Sequence, residues 1–360
     1  MEDNYRKIRV LLTASGLSPV GLNTAQSLKN KVERIVGVDI TVESVAKKFC
    51  NSYFQVPLAS DPSYIDKIIS ICKDEDITVI IPLTIEETIV LKNNQNKFDD
   101  VDIKIANNNS LENILICNDK LLTYQFLKKN KIPTANGYEV SNVEHLINAA
   151  SKLGYPDKEF VFKPRVTHGS RGFRIVVNRY DNIDLLLNHK PTDNITVTLD
   201  ELKDIISKNN IKCLAMEKLD GDDYSVYSFA INGRAIVVVP MKRSGLVPGM
   251  STGGEVVNNM EIIKYVKNII TSFKFNGAIN IQLKLTNKGP LLYEINSRIS
   301  ATTVIVTAFG LNFPLYEILL SLGYQEEVKK EIANKNIKWG VKMNRIHREV
   351  YSDNGNYFFI

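Results

Sequence analysis

Between residues 278 and 298 the sequence alternates polar and apolar residues in two runs, separated by Thr286-Asn287-Lys288-Gly289-Pro290. Period-two runs joined by Asn, Gly and Pro predict an antiparallel hairpin. In the first run (278–285), Gln282 and Lys284 fall on the polar face. In the second (291–298), an extended strand puts Glu294, Asn296 and Arg298 on one face, with Leu291, Tyr293 and Ile295 packed behind. A carboxylate and an amide oxygen suit a hard cation such as Mg²⁺, and a guanidinium suits a phosphoryl or carboxylate group beside it. The hairpin reads as a metal–phosphate platform. Taken alone, a half-solvated strand face explains the pattern equally well.

The N-terminal third alternates strands and helices. Apolar runs at 8–13, 35–39, 77–82 and 103–105 predict a parallel, Rossmann-like sheet. Gly16, Gly21 and Asp39 invite a dinucleotide reading, but the glycines are five apart and do not form GxGxxG, which favours structural turns. Thr84, Glu86 and Glu87 follow a strand at the point where open α/β sheets bind ligands, and a solvated helix start is an equal alternative.

Farther along, Asn118 or Asp119 is a natural N-cap for an amphipathic helix that Lys120 opens. Residues 160–164 predict a short strand ending in Lys163-Pro164. The loop that follows, 165–174, carries Gly169, Ser170, Gly172 and the cations Arg165, Arg171 and Arg174. Glycines between paired strands let backbone N–H groups approach an anion. His168 in that loop has no nucleophile partner visible in sequence. Residues 211–226 read as strand, bend, strand, where Glu217 suits an adenine amino group and Asp223 ribose hydroxyls; a charged hairpin is the plainer alternative. Residues 242–254, with Lys242 and Arg243, read as a long flexible connection able to cover a substrate.

The 360 residues exceed one ordinary core and predict two or three subdomains. A net charge of +5, without an aromatic-interleaved basic patch, argues against nucleic acid. The four cysteines, at 50, 72, 117 and 213, are too scattered for zinc or a disulfide framework, and buried thiols are expected. The start is polar and no 18-residue apolar run exists, so the expectation is a cytoplasmic protein with no membrane partner.

In this order the elements resemble the ATP-grasp superfamily, most closely the synthase half-domain of the carbamoyl phosphate synthetase large subunit, over roughly residues 8–325. The resemblance implies an α/β fold: a Rossmann-like pre-ATP-grasp domain (1–115), a two-lobed α+β ATP-grasp domain (116–325, lobes 116–215 and 216–325) and a C-terminal extension (326–360). It implies Lys120 and Lys163 as phosphate-binding bases, and Gly169 and Ser170 in the glycine flap, which Arg171 interrupts. Glu217, Leu219 and Asp223 match the adenine hinge and ribose acid. Gln282, Glu294 and Asn296 match the metal ligands, and Arg298 the arginine that supports an acyl phosphate. Gln282, where many relatives carry an acid, favours the carbamoyl-type branch.

The implied reaction uses ATP and Mg²⁺, or Mn²⁺, to activate a small-molecule carboxylate and join it to an amine, with Lys163, Arg243 and Arg298 at the chemistry. Arg243 or the flap arginines would hold an acidic acceptor. A homodimer stays open. With one synthase-like half and no glutaminase segment, a complete carbamoyl phosphate synthetase is not expected. Bicarbonate or carbamate phosphorylation and a non-catalytic ATP-binding regulator are the alternatives. An NAD(P)-dependent oxidoreductase lacks its glycine fingerprint.

Overall fold

The computed structural model describes residues 7–16, 19–167, 169–181, 183, 187, 195–209, 211–247, 250–346, 349–353 and 356–358. Its N-terminal sheet holds β1 (Arg9–Leu12), β2 (Arg34–Asp39), β3 (Ser52–Gln55), β4 (Val79–Ile81) and β5 (Lys104–Ile105). They run parallel in the order β3-β2-β1-β4-β5. Sequence reading missed β3, an edge strand without a buried face. Helices cover both sides of the sheet. In Tyr64–Asp74, Tyr64, Ile65, Ile68, Ile71 and Cys72 are buried at helical spacing.

A second sheet joins β6 (Gly137–Val140), β7 (Phe160–Pro164), β8 (Arg174–Val177), β9 (Thr196–Thr198) and β10 (Cys213–Glu217), in the order β6-β10-β7-β8-β9. The third is antiparallel throughout and has six strands. These are β11 (Asp222–Ile231), β12 (Arg234–Val247), β13 (Met250–Val256), β14 (Gly277–Thr286), β15 (Gly289–Asn296) and β16 (Lys342–Asn344), ordered β15-β14-β11-β12-β13-β16. Strand β16, from the segment expected as a C-terminal extension, therefore forms the far edge of this sheet.

The expected flexible connection at 242–254 is instead strand on both sides. Lys242 pairs with Glu255, Ser244 with Gly253 and Val247 with Met250. Its Gly and Ser content suggested a loop, but ladder hydrogen bonds to a neighbouring strand outweigh a weak intrinsic strand preference. Pro248 and Gly249 lie outside the described residues.

One apolar cluster runs across the boundary between the first and third sheets. Val10, Leu12 and Leu28 of the N-terminal unit share it with Phe229, Met241 and Tyr316. Cys72, Cys117 and Cys213 are buried free thiols, whereas Cys50 is only half-buried. Among the described residues no helix is long and apolar enough to cross a membrane.

Candidate active site

The hairpin of β14 and β15 forms one wall of a cleft. Asn280 pairs with Asn296 and Gln282 with Glu294. The register then shifts, and Leu283 pairs with Leu292, which leaves Tyr293 as the extra residue of a bulge. This corrects the simple alternation expected from sequence. Leu292 and Ile295 enter the core behind the sheet, while Leu291 and Tyr293 join a separate cluster with Tyr124 and Leu219. The bulge thus lets Tyr293 and Glu294, neighbours in sequence, both line the cleft wall.

Two lysines face this wall from other elements. Lys120 opens the helix Lys120–Lys129, whose N-cap Asp119 accepts the N–H groups of Leu121 and Leu122. Such a cap is worth about 1 kcal/mol. Asp119 also pairs with Arg165 at 2.5 Å, and Arg165 reaches Glu139 as well, so this flap cation is committed to structure. The Lys120 ammonium donates to Thr167 O at 2.9 Å. Lys163, on β7, is buried and donates to Tyr293 O at 3.3 Å.

Burial pushes the Lys163 ammonium down to about 7; the charge of Lys120 adds to this, and Glu294 opposes it. Burial likewise lowers Lys120, with Glu294 and Asp119 opposing. Arg298 is lowered by burial against the pull of Glu294 and Glu86. Its Nη1 donates to Ile299 O at 2.9 Å. Three cations thus share Glu294, with Asp119 and Glu86 each offsetting one of them, and the cost of their burial is relieved by a polyanion.

A second cavity, lined by Glu217, Leu219 and Leu291 among others, opens farther along the same hairpin. Glu217 accepts from Asn136 N at 3.3 Å and from Lys288 at 3.3 Å. Leu219 is buried beside Val161, Met216 and Leu291. Asp223 Oδ1 accepts the Tyr293 hydroxyl at 2.8 Å and Arg243 Nη1 at 3.1 Å. Arg243 also donates to the Tyr293 hydroxyl at 2.7 Å and to Ser251 Oγ at 2.5 Å. Gly169 and Ser170 are exposed on a turn beyond Thr167, and Thr167 is the described residue of that loop that lines the cleft. His168 lies outside the described residues.

From the N-terminal unit, Ile85 lines the cleft and Glu86 acts electrostatically on Arg298. Thr84 caps its helix. Glu87 turns inward to Thr13, Tyr64 and Thr84. Asp39 accepts the N–H of Gly16 at 3.0 Å and of Thr41 at 3.0 Å, and a Cβ at Gly21 would meet Ser15 O at 1.9 Å. The glycines therefore serve close packing of the turn.

Sequence reading missed the run Asn107-Asn108-Asn109. Asn107 donates to Ser297 O at 3.0 Å and Asn109 accepts Asn276 N at 3.0 Å, so the run braces the open end of the hairpin, where β14 begins and β15 ends. Three adjacent polar residues after a buried strand were the available signal. Asn280 was also missed. It donates to Ser225 Oγ at 2.8 Å, while its buried Oδ1 has no hydrogen-bond partner.

Gln282, Glu294, Asn296 and that orphaned oxygen form an oxygen-only donor set suited to Mg²⁺, which takes one or two carboxylates and completes its shell with substrate phosphates and water. Among the described residues no cluster of three His, Cys, Asp or Glu could hold a metal by itself. A metal here therefore depends on the amide oxygens and on the nucleotide.

Comparison with known proteins agrees with this architecture. Two stretches of the chain match family models, an ATP-grasp one and, in front of it, an N-terminal domain one. Residues 210–343 match the family described as ATP-grasp in the biosynthetic pathway with Ter operon, and residues 10–106 match the PylC-like N-terminal domain. The carbamoyl phosphate synthase large chain of Clostridium acetobutylicum is 25% identical over 279 residues, covering 74% of this chain and 25% of the relative. The arginine-specific large chain of Bacillus subtilis is 22% identical, covering 55% and 18%. The chain thus spans about a quarter or less of the length of these curated relatives.

Among solved structures, phosphoribosylglycinamide synthetase from Anaerococcus prevotii superposes with a TM-score of 0.63 at 15% identity, covering 93% of this chain and 79% of that one. The L-amino acid ligase from Bacillus licheniformis gives 0.63 at 14%, covering 91% and 77%. These likenesses concern the fold.

Proposed function

We propose that the protein is an ATP-dependent ligase that phosphorylates a small-molecule carboxylate and transfers the acyl group to an amine, releasing ADP and phosphate. The observation that carries this reading is the crowding of Lys120, Lys163 and Arg298 around Glu294 on the oxygen-rich wall of one cleft.

A carboxylate oxygen attacks the γ-phosphorus and ADP leaves; the amine nitrogen then attacks the carbonyl carbon, phosphate leaves and the amine loses a proton. Little covalent work falls to the protein, so positioning and charge neutralisation carry the rate. Lys120 and Lys163 hold phosphate oxygens from the two sides of the cleft. Glu217 and Leu219 would take the adenine, and Asp223 its ribose. Gln282, Glu294 and Asn296 would hold Mg²⁺, which would neutralise charge on the transferring phosphoryl group. Arg298 offers a planar fork to the acyl phosphate.

The test is ADP release across pairs of carboxylates and amines, with mass analysis of the product. Amide formation coupled to ADP supports the reading. ATP binding without turnover for any pair, or tighter binding of NADH than of MgATP, sinks it. The carbamoyl phosphate synthase relatives favour one second reading, phosphorylation of bicarbonate, which ADP release dependent on bicarbonate alone would establish.

A further inference from the structure

A nucleotide held as in the ligase reading spans two cavities, with its phosphates in one and its base in the other. Its sugar joins base to phosphates, so the sugar passes the residue at the divide. That residue is Tyr293. It lines the cavity of Lys120, Glu294 and Arg298. On its other side it packs with Leu219 and Leu291, which line the second cavity. Its main-chain oxygen accepts the Lys163 ammonium at 3.3 Å, so it also touches a lysine assigned to phosphate.

The Tyr293 hydroxyl is fixed from two directions. It donates to Asp223 Oδ1 at 2.8 Å and accepts Arg243 Nη1 at 2.7 Å. Arg243 Nη1 reaches the same Asp223 Oδ1 at 3.1 Å, and its Nε donates to Ser251 Oγ. Burial holds the phenol proton in place, well above its ordinary value, against the pull of Arg243 and with Asp223 adding to it. The phenol is therefore a hydrogen-bond donor at neutral pH. Asp223 stands two residues past Gly221, which lines the second cavity, and only 14% of its side chain is exposed. A carboxylate so placed needs donors to stay ionised and in one orientation. Both donors converge on one of its two oxygens.

We propose that Tyr293 is a positioning residue for the nucleotide sugar: its hydroxyl, with Arg243, holds Asp223 by Oδ1 so that Oδ2 accepts a ribose hydroxyl. This rests on the ATP reading of the site. The bulge then serves both ends of the nucleotide, through its main chain at Lys163 and through its side chain at the ribose acid. It also draws Arg243, expected from sequence at the chemistry, into the sugar site.

The experiment measures MgADP and its 2′-deoxy and 3′-deoxy analogues by calorimetry. The proteins are the full-length wild type, Tyr293→Phe, Asp223→Asn and the double variant. A hydroxyl bonded to a carboxylate predicts that wild type binds ADP roughly tenfold or more tighter than at least one deoxy analogue. Tyr293→Phe keeps the ring and should lose most of that preference. Because Tyr293 acts through Asp223, the double variant should discriminate no worse than Asp223→Asn alone. A merely structural hydroxyl would weaken all three nucleotides equally and leave their ratios unchanged. Unchanged ratios, additive losses in the double variant, or a Tyr293→Phe protein that does not fold overturn the assignment alone. Wild type that binds ADP without preferring it to either analogue does the same. If wild type binds none of the three, the ATP reading falls and the assignment falls with it.

Discussion

Lys163 and Tyr293 tie two sheets together: the ammonium at the end of β7 donates to the main-chain oxygen at the bulge of β15, 3.3 Å away. The contact places a buried cation directly against the strand that carries Glu294 and Asn296. It also makes the bulge one of the points at which the second and third sheets meet, beside the apolar cluster of Leu291 with Val161 and Met216.

Replacing Lys163 with Met keeps the volume and removes the charge. Calorimetry should show MgATP binding weakened by roughly tenfold or more, the loss expected for a charged hydrogen bond. The melting temperature should hold or rise, because the desolvation of a lysine pushed down to about 7 no longer opposes folding. Wild-type affinity would remove Lys163 from the phosphate site.

Glu294→Ala should lower turnover by roughly a hundredfold or more, in line with losing one preorganised electrostatic group. It should also take one negative charge away from Lys120, Lys163 and Arg298, so ATP should still bind while the Mg²⁺ dependence of binding weakens. Steady-state ADP release and calorimetry with and without Mg²⁺ measure this. Unchanged turnover would exclude the metal role.

Arg298→Lys should slow amide formation more than it weakens ATP binding. A point charge cannot bridge two oxygens as a guanidinium does. Equal losses in the rate constant and in ATP affinity would make Arg298 a general phosphate clamp, and no loss in either would take it out of the site.

Glu317 should give the protein a pH-dependent stability. Its carboxylate accepts Ala278 N at 2.5 Å and Asn108 Nδ2 at 2.6 Å, so it joins the start of β14 to the segment after β5. Burial raises it from 4.5 to about 7, with these two hydrogen bonds and then Lys92 opposing. The folded protein therefore holds a proton that the unfolded chain releases between those values. The contribution is fully present below the lower value and lost as pH rises through the upper one. Glu317→Gln lacks this titration, so its melting temperature should fall less than that of the wild type between about pH 5 and pH 7.5. Parallel melting curves for the two proteins would reject the assignment.

The sequence carried what depends on local period and chemistry. The hairpin at 278–298, the strand ending in Lys163 and the helix capped by Asp119 all follow from spacing and capping rules that act within a few residues. The bulge at Tyr293 could not be read, because it is a property of two strands in register, and a single extra residue reverses which side chains face the cleft. The β12–β13 hairpin was hidden by its glycines. Edge strand β3 has no buried face, so it left no alternation to read. The partners of Arg165 and Glu317 were likewise beyond reach, since each comes from a distant segment.

The apolar cluster shared by Val10, Leu12 and Leu28 with Phe229, Met241 and Tyr316 means that the N-terminal unit, which has its own core on one side of its sheet, closes the other side only against the rest of the chain. Cutting the chain between the two would expose a raw oily surface on each piece. The protein should therefore melt in one cooperative transition and resist separation by protease. A swap of its N-terminal third for that of a relative will succeed only if both sides of this seam travel together.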